Sequence, residues 1–459
     1  DLCFARAASV SGSVQRQVSA QGVKGIPPFH AIELGLDPHE VILSSPANEQ
    51  LQLLSVAQAH SRGVGQALVP LLPPLTPAFK VAYISGSGFS GRTTTARLVQ
   101  DVFRLHSLSE VSCWSLGVAD DSAPRRVIEE GCHTFVDVGF SDYLDVARRI
   151  NTAAPHVVVD LSGLTTDNTL RVLSLRPAAV QVHWHGYPGS LGTRDIDFFV
   201  GDRVSAPPEY REHFAEMLFY HPCSYLATSH ALRHQKVTRP HGVQLANRRR
   251  QLIAQGLDTQ ATVFSSFNQP YKIDSDIFDR WMQLLRDTPA SSLWLLDFAT
   301  DSSRQLMAHA RAAGLHHRVF ITPLLSRDVE LEAKSLASVF LDTPLFGGHT
   351  TAVDALWAGL PILTVAQSSL ASRVAASLAL SSQGSLGVAR TRSDYSLLGA
   401  AMARREAGVR ARSDEGRDVA RPAPLWDVGR WTRHAEMGYR MMVELTLHQL
   451  SMHVVLAGT

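Results

Sequence analysis

At 459 residues the chain exceeds one ordinary domain, and two to three are expected. Hydrophobic residues at 45% and charged residues at 19% suit globular cores and exclude a disordered chain. With 43 basic against 42 acidic side chains there is no basic excess, so no nucleic-acid partner is expected. Cys3, Cys113, Cys132 and Cys223 are scattered without a C-x-x-C pair, which points to buried free thiols in a reducing compartment. No run of 18 or more apolar residues occurs, so no membrane span is expected. The sequence opens on Asp1 with neither Met nor a charged-then-apolar leader, and reads as a piece of something longer.

Residues 1 to 75 read as a helical or irregular segment, in which Pro27-Pro28 and the run Pro70 to Pro77 bracket a modest helical pattern at Glu49 to His60. No repeat of 20–50 residues is present. From Lys80 the text becomes regular. Val81 to Ile84, Val111 to Leu116, His133 to Val138, His156 to Leu161, Ala179 to His183 and Ile196 to Val200 carry strand signals, with helical stretches between them. Alternating strand and helix predicts βαβ units and a parallel sheet over 76–228.

Between 229 and 260 the rhythm breaks. Arg233, His234, Lys236, Arg239 and Arg248-Arg249-Arg250 read as a basic interdomain linker with a solvated face. A second alternation fills 261–415, with strands at Thr262 to Phe264, Leu293 to Leu296, Val319 to Thr322, Ser338 to Leu341 and Pro361 to Val365. Ile277, Phe278, Trp281, Met282, Leu284 and Leu285 form the buried stripe of a helix capped by Asp274 or Ser275. Residues 416–459 are C-terminal helices. The fold class is therefore α/β, with two Rossmann-like lobes facing a cleft and helices at either end. Ligands of such sheets bind outside the carboxyl ends of the strands.

Gly86-Ser-Gly88-Phe-Ser-Gly91 satisfies G-x-G-x-x-G between a strand and a helix, the context of a dinucleotide fingerprint. That fingerprint wants an acid at the end of the next strand, whereas Asp120 and Asp121 lie beyond it in a turn. A dinucleotide loop, a cleft-lining loop and a structural turn all remain open. The stronger cluster is Asp342-Thr-Pro-Leu-Phe-Gly-Gly-His-Thr-Thr-Ala-Val-Asp354, which follows a strand and opens a helix. Gly347 and Gly348 permit close backbone approach. His349, Thr350 and Thr351 offer side-chain donors beside the unpaired amides of a helix start, and Asp354 one turn later is placed to accept from sugar hydroxyls. Lys272, in the loop after the first strand of the same half, is brought to that turn because strand-end loops of one parallel sheet open on one edge. The pattern is a diphosphate grip. No H-x-x-x-H pair or carboxylate cluster argues for a bound ion, so neither metal nor cofactor is expected.

The segments FNQPYKID, LWLL, LDTPLFGGHTTAVDALWAGLPILT and LASRVAAS resemble the catalytic region of the O-linked N-acetylglucosamine transferases, and LRPAAVQVHWHGYPG upstream is similar to another segment of that family. The similarity runs, with gaps, from about Lys80 to Leu450. It implies a GT-B enzyme that inverts the anomeric centre while passing N-acetylglucosamine from UDP-GlcNAc to Ser and Thr hydroxyls of proteins. It further implies that Gln269, Lys272, Arg327, His349, Thr350, Thr351 and Asp354 bind the nucleotide and diphosphate, and that His185, Gly186 and Phe346 lie near the sugar. A tetratricopeptide array before the catalytic core, and a cytoplasmic or nuclear location, belong to the same expectation.

Several positions depart from the family. Arg92 stands where the first loop usually has a functional His; a guanidinium is no base at ordinary pH, so Arg92 is expected as a substrate-binding residue only. Arg327 replaces a Lys and Glu330 a His near the nucleotide. Phe346 replaces a small Cys, which is more like the SPINDLY-type O-fucosyltransferases that use GDP-fucose. The long insertion between the lobes of the animal enzymes is absent. Asp160 and His185 are the candidate general bases, with a phosphate of the donor as the third possibility. An O-fucosyltransferase and a catalytically impaired sugar-nucleotide scaffold are the alternative functions.

Overall fold

The computed structural model describes residues 78–165, 167–234, 257, 261–324, 327–382, 387–412 and 423–456, the side chains of 327–329 and 406–412 excepted. The expected N-terminal segment 1–75, most of the basic stretch through Arg250 and the side chain of Arg327 lie outside the described residues. What is described falls into two units: one ends at Arg233 and resumes at Pro424, and the other lies between His234 and Ala423.

In the first unit, strands β1 (Phe79–Ser85), β2 (Ser109–Leu116), β3 (Thr134–Gly139), β4 (Val157–Asp160), β5 (Val180–His183), β6 (Phe198–Asp202) and β7 (Met217–His221) are all parallel. The second unit contributes β8 (Thr262–Ser266), β9 (Ser291–Asp297), β10 (Val319–Pro323), β11 (Val339–Leu341), β12 (Ile362–Val365) and β13 (Val388–Ala389). The C-terminal β14 (Val454–Val455) returns to pair with β7. The sheet orders are β14-β7-β6-β5-β4-β1-β2-β3 and β10-β9-β8-β11-β12-β13. In each sheet the first strand sits beside its second on one side and its fourth on the other. That reversal opens a crevice at the carboxyl ends of β1 and β4, and another at those of β8 and β11.

Apolar continuity explains the strands. Val157–Val159 and Val339–Leu341 are buried on both faces, as strands covered by helices require. The expected strand at Ile196 to Val200 begins two residues later, at Phe198, and β7, β13 and β14 were not anticipated. Runs as short as Met217–His221 carry no alternation to set a strand apart from a buried turn of helix.

The helix Ser275–Asp287 forms as its apolar stripe predicts: Asp274 caps it by accepting the Ile277 amide at 2.9 Å, and Phe278, Trp281 and Leu284 are fully buried. Each such side chain contributes about 1.5–3 kcal/mol of burial. Helix Val428–Leu447 packs in the first unit, where Trp431 stacks on Trp184 at 4.4 Å and Glu436 accepts the Leu108 amide at 2.8 Å.

Two expectations are corrected. Cys113 on β2 and Cys132 after the helix Ala123–Gly131 form a disulfide, because the βαβ crossover returns the chain to bring their Cα atoms to 6.2 Å. The start of the basic linker is part of the first unit: Arg233 ends a short helix and pairs with the buried Asp101. No helix among the described residues is long and apolar enough to cross a membrane.

Candidate active site

The second unit gathers its polar side chains at the β8/β11 crevice. Asn268, just past β8, donates through Nδ2 to Asp342 Oδ1 (3.2 Å) and Thr343 Oγ1 (2.8 Å), while its Oδ1 accepts from Thr351 Oγ1. Asp342 is buried at the end of β11, and its carboxylate accepts from the Gly348 amide (2.6 Å) and Thr364 Oγ1 (2.7 Å). Burial pushes its pKa up, against the pull of those hydrogen bonds. Asp342 thus fixes the turn, and a Cβ at Gly348 would press to 2.8 Å from Thr351 Oγ1. The sequence places Asp342 at the head of the cluster without assigning it a role, and it does not single out Asn268. A strand-end Asp six residues before a glycine was the available signal.

Lys272 arrives on a 3₁₀ turn (Pro270–Lys272) whose last amide bonds to the Gln269 carbonyl at 3.0 Å. Its Nζ donates to the Gly347 carbonyl at 2.9 Å, so the lysine and the glycine turn converge as expected. The helix Thr350–Trp357 starts there, and the amides of Thr350, Thr351 and Ala352 have no carbonyl partner within it. Backbone N–H groups, the positive end of a helix dipole and an ammonium make an anion site.

The other expected contacts divide. Among the described residues Thr350 Oγ1 has no hydrogen-bond partner, whereas the Thr351 hydroxyl proton is committed to Asn268 and is not available to an anion. His349 lies at the turn with Nε2 3.4 Å from the Ala371 carbonyl, and the Gln269 side chain is exposed. Asp354 differs from expectation. It is 1% exposed and its Oδ2 lies 3.0 Å from Lys334 Nζ, which also pairs with Glu330 at 2.6 Å. A carboxylate so enclosed anchors the helix to its neighbour and does not face an open surface.

In the first unit the G-x-G-x-x-G loop is not a phosphate nest. The amides of Gly86, Phe89 and Gly91 donate to the hydroxyls of Ser162, Ser85 and Ser122, and those of Gly88 and Ser90 to carbonyls of the same loop. Asp120 accepts from Ser90 and Ser122, so it braces the loop and does not await a ribose. Arg92 leaves this loop with an exposed side chain.

Asp160, at the end of β4, is fully buried and accepts from Ser162 N, Gly163 N, Thr169 Oγ1 and His183 Nδ1 at 2.7–3.0 Å. His183 Nε2 donates to the Tyr187 carbonyl at 2.9 Å. Both ring nitrogens of His183 therefore face acceptors, which only the imidazolium satisfies. Burial works to lower its pKa, but the Asp160 carboxylate, the Tyr187 carbonyl and the Glu216 charge together raise it. This strut holds the loop Trp184–Gly189, where Gly186 adopts φ +86°. There the Gly186 amide donates to His185 Nδ1 at 2.9 Å, leaving the proton on Nε2, which is buried and without a partner. Burial, and then the charge of His183, lower the His185 pKa to about 3. His185 is a neutral imidazole presenting an N–H. Among the described residues no group of three or more His, Cys, Asp or Glu is arranged to hold a metal.

The family model for glycosyl transferase family 41 matches residues 74–251 and 237–433. The chain is 29% identical over 455 residues to the probable UDP-N-acetylglucosamine–peptide N-acetylglucosaminyltransferase SEC of Arabidopsis thaliana, covering 95% of this chain and 45% of that protein. It is 26% identical to the UDP-N-acetylglucosamine–peptide N-acetylglucosaminyltransferase of Caenorhabditis elegans, covering 69% and 36%. It thus spans less than half the length of these curated relatives. A solved structure of a Thermobaculum terrenum O-GlcNAc transferase mutant superposes with a TM-score of 0.70 at 21% identity, covering 95% of this chain and 87% of that one. The fold is therefore that of a GT-B glycosyltransferase.

Proposed function

Because the chain belongs to glycosyl transferase family 41, we propose that it is the catalytic core of an inverting enzyme that moves N-acetylglucosamine from UDP-GlcNAc to Ser and Thr hydroxyls of proteins. The observation that carries this reading is the Lys272 ammonium, fixed on the Gly347 carbonyl at the start of the helix Thr350–Trp357. In the reaction the acceptor oxygen bonds to the anomeric carbon while the bond from that carbon to the β-phosphate oxygen breaks. Negative charge then builds on the departing UDP. Lys272, the amides of Thr350 and Thr351 and the Thr350 hydroxyl meet it, supplying the positive potential that a metal supplies in other transferases. Gln269, Arg327 and His349 are assigned to the nucleotide side of the same donor.

The roles of the two candidate bases follow from their surroundings. Asp160 is saturated by four donors and positions the His185 loop through His183. His185 carries its proton on Nε2, the ring nitrogen that no protein group pairs, so it serves as a hydrogen-bond donor to a substrate oxygen. The acceptor's proton passes to a phosphate oxygen of the donor. The family resemblance suggests a cytoplasmic or nuclear setting, while the Cys113–Cys132 bond favours an oxidising one.

A binding and transfer panel tests this. UDP-GlcNAc is expected to raise the melting temperature and to deliver labelled sugar to Ser/Thr peptides. Stabilisation by GDP-fucose in its place establishes the second reading, which Phe346 favours. Binding without label transfer to any acceptor marks a catalytically impaired scaffold.

A further inference from the structure

The turn that holds Lys272 also carries an aromatic side chain that the diphosphate chemistry does not use. Phe346 is buried, 4% exposed, and its ring centroid lies 3.8 Å from Lys272 Nζ. Tyr271 flanks the same ammonium at 6.0 Å, and the rings of Tyr271 and His349 lie 6.3 Å and 5.3 Å from that of Phe346. The ring's own backbone is anchored: Thr343 Oγ1 donates to the Phe346 carbonyl at 2.7 Å and accepts from Asn268 Nδ2 at 2.8 Å.

A lysine ammonium on a four-carbon stem is mobile, and ordering it opposes its rotamer entropy. Here the Gly347 carbonyl lies along one N–H and the π face of Phe346 lies beside it. The ring quadrupole attracts a cation most strongly where water is excluded, as over a buried ring. We propose that Phe346 is a positioning residue for Lys272. Its π face pre-orders the ammonium against the glycine turn, so that the charge is in place before the leaving diphosphate forms. This rests on the reading that the turn takes a nucleotide diphosphate.

The test uses the whole chain with phenylalanine, 4-fluoro-, 3,5-difluoro- and 3,4,5-trifluorophenylalanine at position 346. Fluorination drains the ring quadrupole while nearly preserving shape. The affinity for UDP and kcat are expected to fall stepwise along the series, in total roughly 3- to 30-fold. Phe346→Tyr should retain both, whereas Phe346→Leu should lose as much as the trifluoro ring. A flat series overturns the proposal, since packing alone would be indifferent to fluorine. In the chain without nucleotide, the ε-methylene protons of Lys272 should show an upfield ring-current shift in NMR spectra that Phe346→Leu abolishes. Absence of that shift overturns the proposal whatever the chain binds. Binding of neither UDP nor GDP by the unmodified chain, with the shift present, would overturn the nucleotide reading and leave the cation–ring pair established.

Discussion

The Gly186 amide donates to His185 Nδ1 at 2.9 Å, and this one bond decides what the imidazole is able to do. With Nδ1 occupied as an acceptor, the ring proton sits on Nε2, and a pKa lowered to about 3 keeps the ring neutral. In the pH profile of kcat/KM we therefore expect no inflection from His185 between pH 5 and 8. His185→Gln, which still presents a side-chain N–H, should retain far more activity than His185→Phe. An inflection near 6.5 that vanished in the Gln variant would restore His185 as a base.

Lys272→Ala removes the cation from the turn. Losing one preorganised group of this kind costs on the order of 3–4 kcal/mol, so kcat should drop roughly 10²- to 10³-fold. The melting temperature should be little changed, because the side chain is only partly buried. Steady-state transfer assays beside thermal unfolding provide the check, and full activity in the variant would remove Lys272 from the mechanism.

Asp342 shapes the turn from a buried position at the end of β11. Asp342→Asn keeps the volume but places an NH2 where the Gly348 amide or the Thr364 hydroxyl needs an acceptor. A buried donor left unpaired costs about 1–3 kcal/mol. Calorimetric titration with UDP should show affinity weakened by about tenfold or more.

Lys334 is a buried cation between Glu330 and Asp354. Lys334→Met removes the cation from the Asp354 carboxylate, and breaking a buried pair in this way costs about 3–5 kcal/mol. Pairing it with Asp354→Leu should recover most of that loss in urea unfolding. A single variant as stable as the parent would show that the Lys334–Asp354 pair does not hold the helix in place.

Acidification should weaken the first unit through His221. Its folded pKa is pushed down to about 3, chiefly by burial, while in the unfolded chain it titrates near the ordinary value of about 6.5. A group with a depressed folded pKa of this sign stabilises the fold above the unfolded value. That stability is lost as pH falls from there toward the folded value. Between pH 6.5 and 4.5 the loss is on the order of 2 kcal/mol. His183, with its raised pKa, works in the opposite sense and loses its contribution as pH rises. Chemical denaturation at several pH values should give a shallower acid decline for His221→Phe than for the parent.

The sequence by itself determined the two α/β units and the glycine turn that opens the helix Thr350–Trp357. Strand-length apolar runs, helix-period stripes such as Ile277 to Leu285, and the Gly347-Gly348 entry to a helix are local signals that burial and helix geometry enforce wherever the chain places them. The G-x-G-x-x-G motif was equally legible and misleading. Only the serines that fold onto it from β1, from the loop after β4 and from beyond β2 show that its amides are occupied. Tertiary structure alone decided the strand orders that put β8 beside β11, and with them the meeting of Lys272 and Gly347. It also enclosed Asp354 under Lys334, joined Cys113 to Cys132, set the tautomer of His185 and laid Phe346 against the ammonium. Each of these depends on groups distant in sequence meeting at contact range. Hydrogen-bond saturation, charge pairing and ring attraction act only at that range, so periodicity and spacing carry no record of them.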